Sequence, residues 1–265
     1  GFDAVNRKWH QALSHPVDAV MGNGAAPCQE VVLMGDEADL TRFPISTWTP
    51  GKDPGPFLTS ACQITKDRET GIRNVGVYRM QLKGPRKTGV LWEHPSQHGA
   101  VHFAQYWEAG EPMPTAVALG VEPAILMGAI TKTPLGTDEL SVAGALRGNP
   151  VELVKCKTID VEVPARAEIV LEGHIPPEVR EPEGPFGEYS GYMGGPYESV
   201  IFEIDCITHR KDAISQAFLS QMPPSESSLI RATLEESHIF KHLAQDLCIP
   251  GIEDVHLPES GGSYA

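Results

Sequence analysis

The chain has 265 residues, of which 41% are hydrophobic and 21% charged, a profile typical of a globular protein with one large core or two smaller ones. Its formal net charge of -14 argues against a nucleic-acid surface, because neutralising phosphates requires clustered lysine and arginine. The five cysteines are widely spaced and form no CxxC pair, which indicates reduced core residues in a reducing compartment.

The order of the predicted elements is that of a mixed α+β protein with a strand-rich centre. Runs of β-branched and aromatic residues that end in turn signals predict the strands. Thr137 is expected to cap a helix that ends at Gly148. Helices are expected at 3–13, 97–108, 137–146 and 225–247, and strands at 30–34, 57–65, 74–82, 88–92, 115–121, 152–157, 167–173, 199–209 and 213–219.

No stretch of the chain predicts a signal peptide or a membrane span. The first residues contain no apolar segment of the kind that a secretory leader requires. The longest apolar stretch, 115–127, is interrupted by Gly120, Glu122 and Pro123, so it is too short and too broken to cross a bilayer.

Two carboxylates, Glu183 and Glu188, lie five residues apart in the segment Glu-Gly-Pro-Phe-Gly-Glu, which cannot be helical. Pro185 has a fixed φ and pushes Gly184 away from helical angles. The glycines permit turns that other residues resist. Two acids on a stiff turn beside aromatic residues favour acid–base chemistry.

A second group of polar residues lies in the predicted strand RNVGVYR at 73–79. Asn74 and Arg79 are five residues apart, so a regular strand would place them on opposite faces. For both to serve one site the strand must bend, and Gly76 offers a place for a bulge. The simpler interpretation is an edge strand with a solvated arginine.

Two further groups carry candidate metal ligands. His98 and His102 are spaced i, i+4 and could share a helix face, either as a two-histidine metal site or as one functional and one packing histidine. Asp138 and Glu139 open a predicted helix. They are explained either by the helix dipole or by one of them acting as a ligand.

Combining these groups gives a site with an amide (Asn74), an imidazole (His98) and one carboxylate (Glu139). A divalent cation held only by protein usually receives more oxygen ligands and more negative charge. One carboxylate therefore leaves room for an anionic ligand such as a phosphate. The mixed nitrogen and oxygen set favours Mn²⁺ or Mg²⁺, which points to a metal that bridges a phosphorylated cofactor.

Taken in order along the chain, these motifs resemble the UbiD-type decarboxylases, which use prenylated flavin mononucleotide (prenylated FMN). The resemblance runs from Cys28 through nearly the whole chain and implies an α+β fold. Its centre would be a split β-barrel flavin-binding domain with peripheral helices, flanked by remnants of α/β domains. The motifs are Asn-x-Gly-x-Tyr-Arg at 74–79, Gln-His at 97–98, Gly-Ala-Ile-Thr at 128–131, Ala-Glu-Ile-Val-Leu-Glu-Gly at 167–173 and Glu-Gly-Pro-Phe-Gly-Glu at 183–188.

The resemblance also implies which residues hold the cofactor. Asn74, His98 and Glu139 match the family's ligands for a Mn²⁺ between the protein and the flavin phosphate. A K⁺ is expected nearby, held largely by backbone carbonyls. The further positions that match flavin or K⁺ contacts are Arg79, Gln97, Ala129, Ile130 and Thr131.

Catalysis is assigned by the same resemblance to Arg79, Glu183 and Glu188, with Glu188 as the proton donor nearest the substrate. The implied reaction is the reversible non-oxidative decarboxylation of an aromatic, heteroaromatic or α,β-unsaturated carboxylic acid. Tyr189 and Tyr192 beside the acids favour a planar ring as substrate, although both could equally be packing residues.

Family members carry an α/β domain before this region and another after it. We therefore expect a lead-in segment at 1–46, the flavin-binding domain at 47–222 and a helical linker at 223–265 that points towards an absent C-terminal domain. The alternative to a decarboxylase is a non-catalytic or partner-completed subunit of a larger prenylated-flavin enzyme. Members are cytoplasmic and form homo-oligomers, either dimers or hexamers. The expected partner is a small carboxylic acid, without nucleic acid or membrane.

Overall fold

The computed structural model describes residues 2–258 and confirms the mixed α+β fold. The helices are α1 (Phe2–Ser14), α2 (His98–Ala109), α3 (Pro123–Ile130), α4 (Glu139–Arg147) and α5 (Glu226–Lys241). The strands are β1 (Val20–Met21), β2 (Val31–Met34), β3 (Phe57–Leu58), β4 (Cys62–Lys66), β5 (Arg73–Val77), β6 (Met80–Gly84), β7 (Lys87–Val90), β8 (Met113–Leu119), β9 (Glu152–Lys155), β10 (Glu162–Pro164), β11 (Ile169–Ile175), β12 (Arg180–Glu183), β13 (Phe186–Gly187), β14 (Met193–Gly194) and β15 (Tyr197–His209). Short 3₁₀ turns occupy Pro27–Gln29, Gly35–Glu37 and Leu40–Arg42, and a π-type turn at His242–Asp246 follows α5.

One long hairpin, residues 57–84, supplies both ends of the main sheet, which has ten strands. Eight of these follow the order β3-β6-β7-β15-β11-β8-β4-β5, while β2 and β12 pair with β15. β3 and β4 succeed one another in one arm of the hairpin, and β5 and β6 form the other arm. Because the sheet begins and ends in the same two arms, it curls back on itself as a split barrel.

Two layers of apolar side chains hold this sheet, and β8 divides its residues between them. Met113, Val117 and Leu119 lie in a buried cluster that collects side chains from strands along the whole sheet. Ala116 and Ala118 lie in a second cluster with residues of α3, α4 and the small sheet β1-β9-β10. The alternation follows from the two-residue repeat of a strand that is buried on both faces.

The longest strand, β15, contacts four others, and a bulge adjusts its register. Glu172 of β11 pairs with Cys206, but Gly173 pairs with Ile204, so Asp205 is the extra residue. A Cβ at position 173 would overlap the backbone of Glu203, so this close approach requires glycine. The bulge lets residues before and after it face the same core, as the burial of Ile204 and Ile207 shows.

Three predictions about local structure need correction. The predicted strand 213–219 has no regular secondary structure, because its backbone N–H groups bond to distant side chains: Ile214 N donates to Glu168 and Phe218 N donates to Thr59. The predicted strand 57–65 is interrupted between β3 and β4. The predicted helix 225–247 ends as an α-helix at Lys241.

A fourth correction concerns the start of α4. Asp138, and not Thr137, is its N-cap residue, and its carboxylate accepts the Leu140 N–H at 3.0 Å. Gly148 ends the helix in the left-handed conformation, as predicted. None of the helices in residues 2–258 has both the length and the apolar character that crossing a membrane requires.

The barrel interior should be the main source of stability. Phe202 of β15 is fully buried there, so replacing it with alanine removes a large apolar side chain and leaves a cavity. We expect Phe202→Ala to lower the free energy of unfolding by about 3–5 kcal/mol. Chemical denaturation would measure this. The matched control is Trp107→Ala at a site 54% exposed, and an equal loss in the two variants would contradict the prediction.

Candidate active site

The arm of the long hairpin that consists of β5 and β6 turns a corner between these two strands, and Arg79 lies at that corner. Its guanidinium donates through Nε and Nη2 to the two carboxylate oxygens of Glu183, both at 3.1 Å. Its Nη1 donates to Glu188. Arg79 thus forms a fork between the two acids, the geometry in which arginine binds carboxylates most strongly.

The two carboxylates differ in their access to solvent. Glu183 ends β12 and its side chain is completely buried behind Arg79. Glu188 is 20% exposed and lies in a hydrogen-bonded turn, where its N–H donates to the Tyr192 carbonyl at 2.8 Å. The non-helical presentation expected for this segment is confirmed. Gly184 there has a φ of +83°, a region that favours glycine.

Aromatic rings and an amide hold the fork in place. The Arg79 guanidinium lies 5.2 Å from the ring centre of Phe186 and 5.6 Å from that of Tyr197. The Gln81 side-chain oxygen accepts the Gly184 N–H at 3.1 Å. These contacts keep the charged cluster in a largely dry setting, where electrostatic interactions are strong.

The three residues that were expected to bind a metal lie together. His98 at the start of α2 approaches Glu139 at the start of α4, with 3.6 Å between Nδ1 and Oε1. Asn74 is buried on the neighbouring β5, and its amide nitrogen has no hydrogen-bond partner. Since the nitrogen and oxygen of an amide are assigned from the hydrogen-bond network, this unpaired end of the group can present either atom.

Glu139 is held by contacts on both of its oxygens. Oε2 accepts the Val75 N–H at 2.8 Å, and Oε1 accepts the Thr133 hydroxyl at 2.9 Å. Its side chain therefore turns towards β5, which the helix-dipole interpretation does not require. The lone pairs that remain can coordinate a cation.

Two adjoining cavities collect the predicted site residues. The larger, of about 500 Å³, lies within the range of small-molecule and cofactor sites. It is lined by Asn74, Gln97, His98, Ala129, Ile130, Thr131 and Glu139, among others. The smaller, of about 180 Å³, is lined by residues that include Arg79 and Glu188. Four residues line both cavities: Val77, Tyr78, Gln97 and Arg231.

The end of α3 gives the larger cavity a negative character. Ala129, Ile130 and Thr131 lie at its C-terminus, where the last carbonyls of a helix have no partner within the helix. The negative end of the helix dipole also lies there. Both features favour a bound cation near these three residues.

The structure identifies site residues that sequence reasoning missed. Arg231 on α5 lies at the junction of the cavities, with its guanidinium 4.1 Å from the ring centre of Tyr189. Other residues of α5 and two of α1 complete the wall of the larger cavity. They are Trp9, Leu13, Leu234, Glu235 and His238. Their i, i+3, i+4 and i+7 spacing was the available signal.

Tyr78 is a second missed residue, and it explains Gly76. The Tyr78 ring lies against the backbone of Gly76, so a Cβ there would come within 2.6 Å of the ring. Gly76 pairs regularly with Gln63, so the predicted bulge at Gly76 is wrong, and the strand breaks at Tyr78 and Arg79 instead.

Three candidate residues, Glu183, His102 and Tyr192, line neither cavity, and Glu183 reaches the smaller one only through Arg79. His102 is buried and its Nδ1 pairs with the Thr65 hydroxyl at 2.9 Å, so it does not join His98 on the cavity wall. Burial also lowers the pKa of His102. Tyr192 is 79% exposed, whereas Tyr189 lines the smaller cavity.

Comparisons with known proteins agree on one family. The family model described as "UbiD: 3-octaprenyl-4-hydroxybenzoate carboxy-lyase Rift-related domain" matches residues 19–223. The UbiD-class enzyme HmfF from Pelotomaculum thermopropionicum, in complex with FMN, is 37% identical with a TM-score of 0.90, over 98% of this chain and 57% of that chain.

Two further solved structures are similar. An evolved dimeric form of HmfF from the same organism, in complex with prenylated FMN, is 37% identical with a TM-score of 0.90 and covers 98% of this chain and 60% of that chain. Sedimentibacter hydroxybenzoicus vanillic acid decarboxylase, in its closed form, is 31% identical with a TM-score of 0.86, over 98% and 55%. The chain therefore spans less than two thirds of the length of these relatives.

The contact between Gly76 and Tyr78 can be tested directly. We expect Gly76→Ala to lower the free energy of unfolding by about 1–3 kcal/mol, because the added methyl group must displace the ring. Chemical denaturation would show most of this loss disappearing in a Tyr78→Ala background, since the two changes affect one contact. Gly84→Ala is the control, because no atom lies within 4 Å of the added Cβ. Equal losses in both backgrounds would refute the contact.

Proposed function

Since the chain belongs to the UbiD family, we propose that it is a reversible non-oxidative decarboxylase that uses prenylated FMN. Its substrate would be an aromatic, heteroaromatic or α,β-unsaturated carboxylic acid. The observation that carries this proposal is the Arg79 fork between Glu183 and Glu188, which opens onto the cavity next to Asn74, His98 and Glu139. The carboxylates of Glu183 and Glu188, which could transfer protons, therefore lie next to a site where a metal ion could bind a phosphate.

The residues present fit the metal and the cofactor. The amide of Asn74, which has one end without a partner, the imidazole of His98 and the oriented carboxylate of Glu139 form a mixed nitrogen and oxygen set that suits Mn²⁺. The single carboxylate of Glu139 neutralises only part of the charge of Mn²⁺, so a flavin phosphate can neutralise the rest. K⁺ would bind by the backbone carbonyls at 129–131, at the negative end of α3. Gln97 would contact the flavin at the junction of the cavities.

Loss of CO₂ leaves an electron pair on carbon, and prenylated FMN, when bound, supplies the electron sink that no side chain can provide. Glu188 then donates a proton to the carbon that has lost CO₂, because of the two acids paired with Arg79 it lines the smaller cavity, whereas Glu183 is completely buried. Arg79 fixes the position of Glu188 and links it to the buried Glu183. Glu188 is reprotonated from solvent, and in the carboxylation direction it removes the proton.

The charge at the junction of the cavities supports an acid as substrate. Arg231 is a cation that lines both cavities, and it lies over the ring of Tyr189. A carboxylate that enters the smaller cavity meets this cation, while a planar ring can lie beside Tyr189 and Phe186. The solved relatives support the same class, since one of them is a vanillic acid decarboxylase.

Cofactor loading tests the proposal most directly. The chain, produced with prenylated FMN supplied, should carry flavin by ultraviolet–visible spectroscopy and Mn²⁺ by elemental analysis. Glu139→Gln should lose most of the Mn²⁺, because the neutral amide binds a cation less strongly. Glu111→Gln, at a remote exposed ion pair, should keep it. A wild-type chain without flavin and Mn²⁺ would refute the proposal. A loaded chain without turnover would favour the partner-completed subunit, in keeping with the 57% of the relative's length that this chain spans.

The proton donor is tested by Glu188→Gln. We expect turnover to fall by about 10²–10⁴-fold, the usual contribution of a general acid, while flavin and Mn²⁺ content stay unchanged. Solvent deuterium exchange into the product should fall in parallel. The control is Glu181→Gln in β12, whose carboxylate pairs with Lys87, and this variant should keep full activity. Near-normal turnover of Glu188→Gln would exclude Glu188 as the donor.

A further inference from the structure

A second arginine of the long hairpin also lies between two carboxylates. Arg73, the first residue of β5, donates to Asp138 Oδ2 through Nε at 3.1 Å and through Nη2 at 2.5 Å. Its Nη1 donates to Glu162 Oε2 on β10 at 3.0 Å, and Lys66 of β4 also pairs with Glu162. This cluster lies outside both cavities, so no step of the proposed reaction uses it.

The partners of this ion pair directly precede two proposed metal ligands. Arg73 is followed by Asn74, and Asp138 is followed by Glu139. We propose that Arg73 and Asp138 are positioning residues, which set the affinity of the site for Mn²⁺ by fixing the distance and angle between Asn74 and Glu139. This inference rests on the proposed function, because it concerns the same metal site.

The ion pair and one hydrogen bond both link β5 to the start of α4. The ion pair therefore affects where Glu139 lies relative to Asn74. The ion pair joins position 73 to position 138, and the Glu139 carboxylate accepts the Val75 N–H at 2.8 Å. Asn74 lies between these two connections on β5. Together they restrict how far the start of α4 can shift against the strand. With the ion pair removed, the hydrogen bond from Val75 N–H to Glu139 is the one polar link between β5 and the start of α4 among the described residues.

The cap of α4 makes the arrangement more specific. Asp138 uses Oδ2 for Arg73 and Oδ1 for the Leu140 N–H, so one carboxylate both ties the helix start to the strand and caps the N-terminus of the helix. The side chains of Arg73 and Asp138 are only 20% and 22% exposed, so solvent screens the interaction weakly. Groups that orient metal ligands from behind commonly alter metal affinity when they are changed.

The test compares variants of this pair by Mn²⁺ titration in the presence of FMN. Arg73→Met removes the cation but keeps most of the side-chain length. Asp138→Asn removes the negative charge but keeps a good N-cap. We expect both to weaken Mn²⁺ binding about 10- to 100-fold, and Arg73→Lys to recover part of the affinity. Arg166→Met, which breaks an exposed pair with Glu152, should bind Mn²⁺ as wild type does.

The outcomes separate this inference from the proposed function. If wild type binds no Mn²⁺, both are overturned. If wild type binds and all variants bind equally well, only the positioning role is overturned. A loss of stability in Asp138→Asn without a change in Mn²⁺ affinity would also overturn it, because a purely structural ion pair behaves in that way. If Arg73→Met does not fold, Asp138→Asn and Arg73→Lys decide.

Discussion

The corner in the long hairpin is the constraint on which the rest of the structure depends. A regular strand alternates its side chains, so Asn74 and Arg79 could not have served one site on an unbroken strand. The break at Tyr78 and Arg79 places the first on one cavity and the second on the next. The same break carries the hairpin from one end of the sheet to the other, so closure of the barrel and placement of the site follow from one feature.

The charges of this hairpin follow a common pattern. Arg73 and Arg79 lie six residues apart, and each lies between two carboxylates that come from other elements. A charge buried without a partner would cost several kcal/mol, so each arginine requires its acids, and each set of acids requires its arginine. The first cluster ties β5 to α4 and β10, and the second ties the corner to the acid turn. The proposed metal ligand Asn74 lies between them.

Much of this was predictable from local patterns. The strands with clear alternation and the acid turn follow from residue type and spacing, and the grouping of Asn74, His98 and Glu139 suggested by their ligand types is one that the structure brings together on one cavity. The errors arose where tertiary contacts decide. Thr137 and Asp138 are both acceptable N-cap residues. Asp138 is the N-cap, which places Glu139 at the first position of α4, where its carboxylate accepts the Val75 N–H. Gly76 suggested a bulge, but its role is to make room for the Tyr78 ring, which no local pattern reveals.

The least predictable part of the site comes from α1 and α5, which the sequence presented as lead-in and linker. Helix α5 directs Arg231 to the junction of the cavities. Its side chains bond to the segments on either side of it, since Glu226 accepts the Leu219 N–H at 2.9 Å and Glu236 accepts the Leu257 N–H at 2.8 Å. The Lys132–Glu235 ion pair at 2.7 Å links α5 to the segment after α3, and the His10–Ser237 hydrogen bond at 3.4 Å links it to α1. Lys132 is mostly exposed, so its ion pair stabilises little on its own. The acids and the proposed metal ligands therefore lie on the sheet and on the helices and turns beside it, whereas the cation proposed to meet the substrate lies on a helix that follows the sheet in the chain.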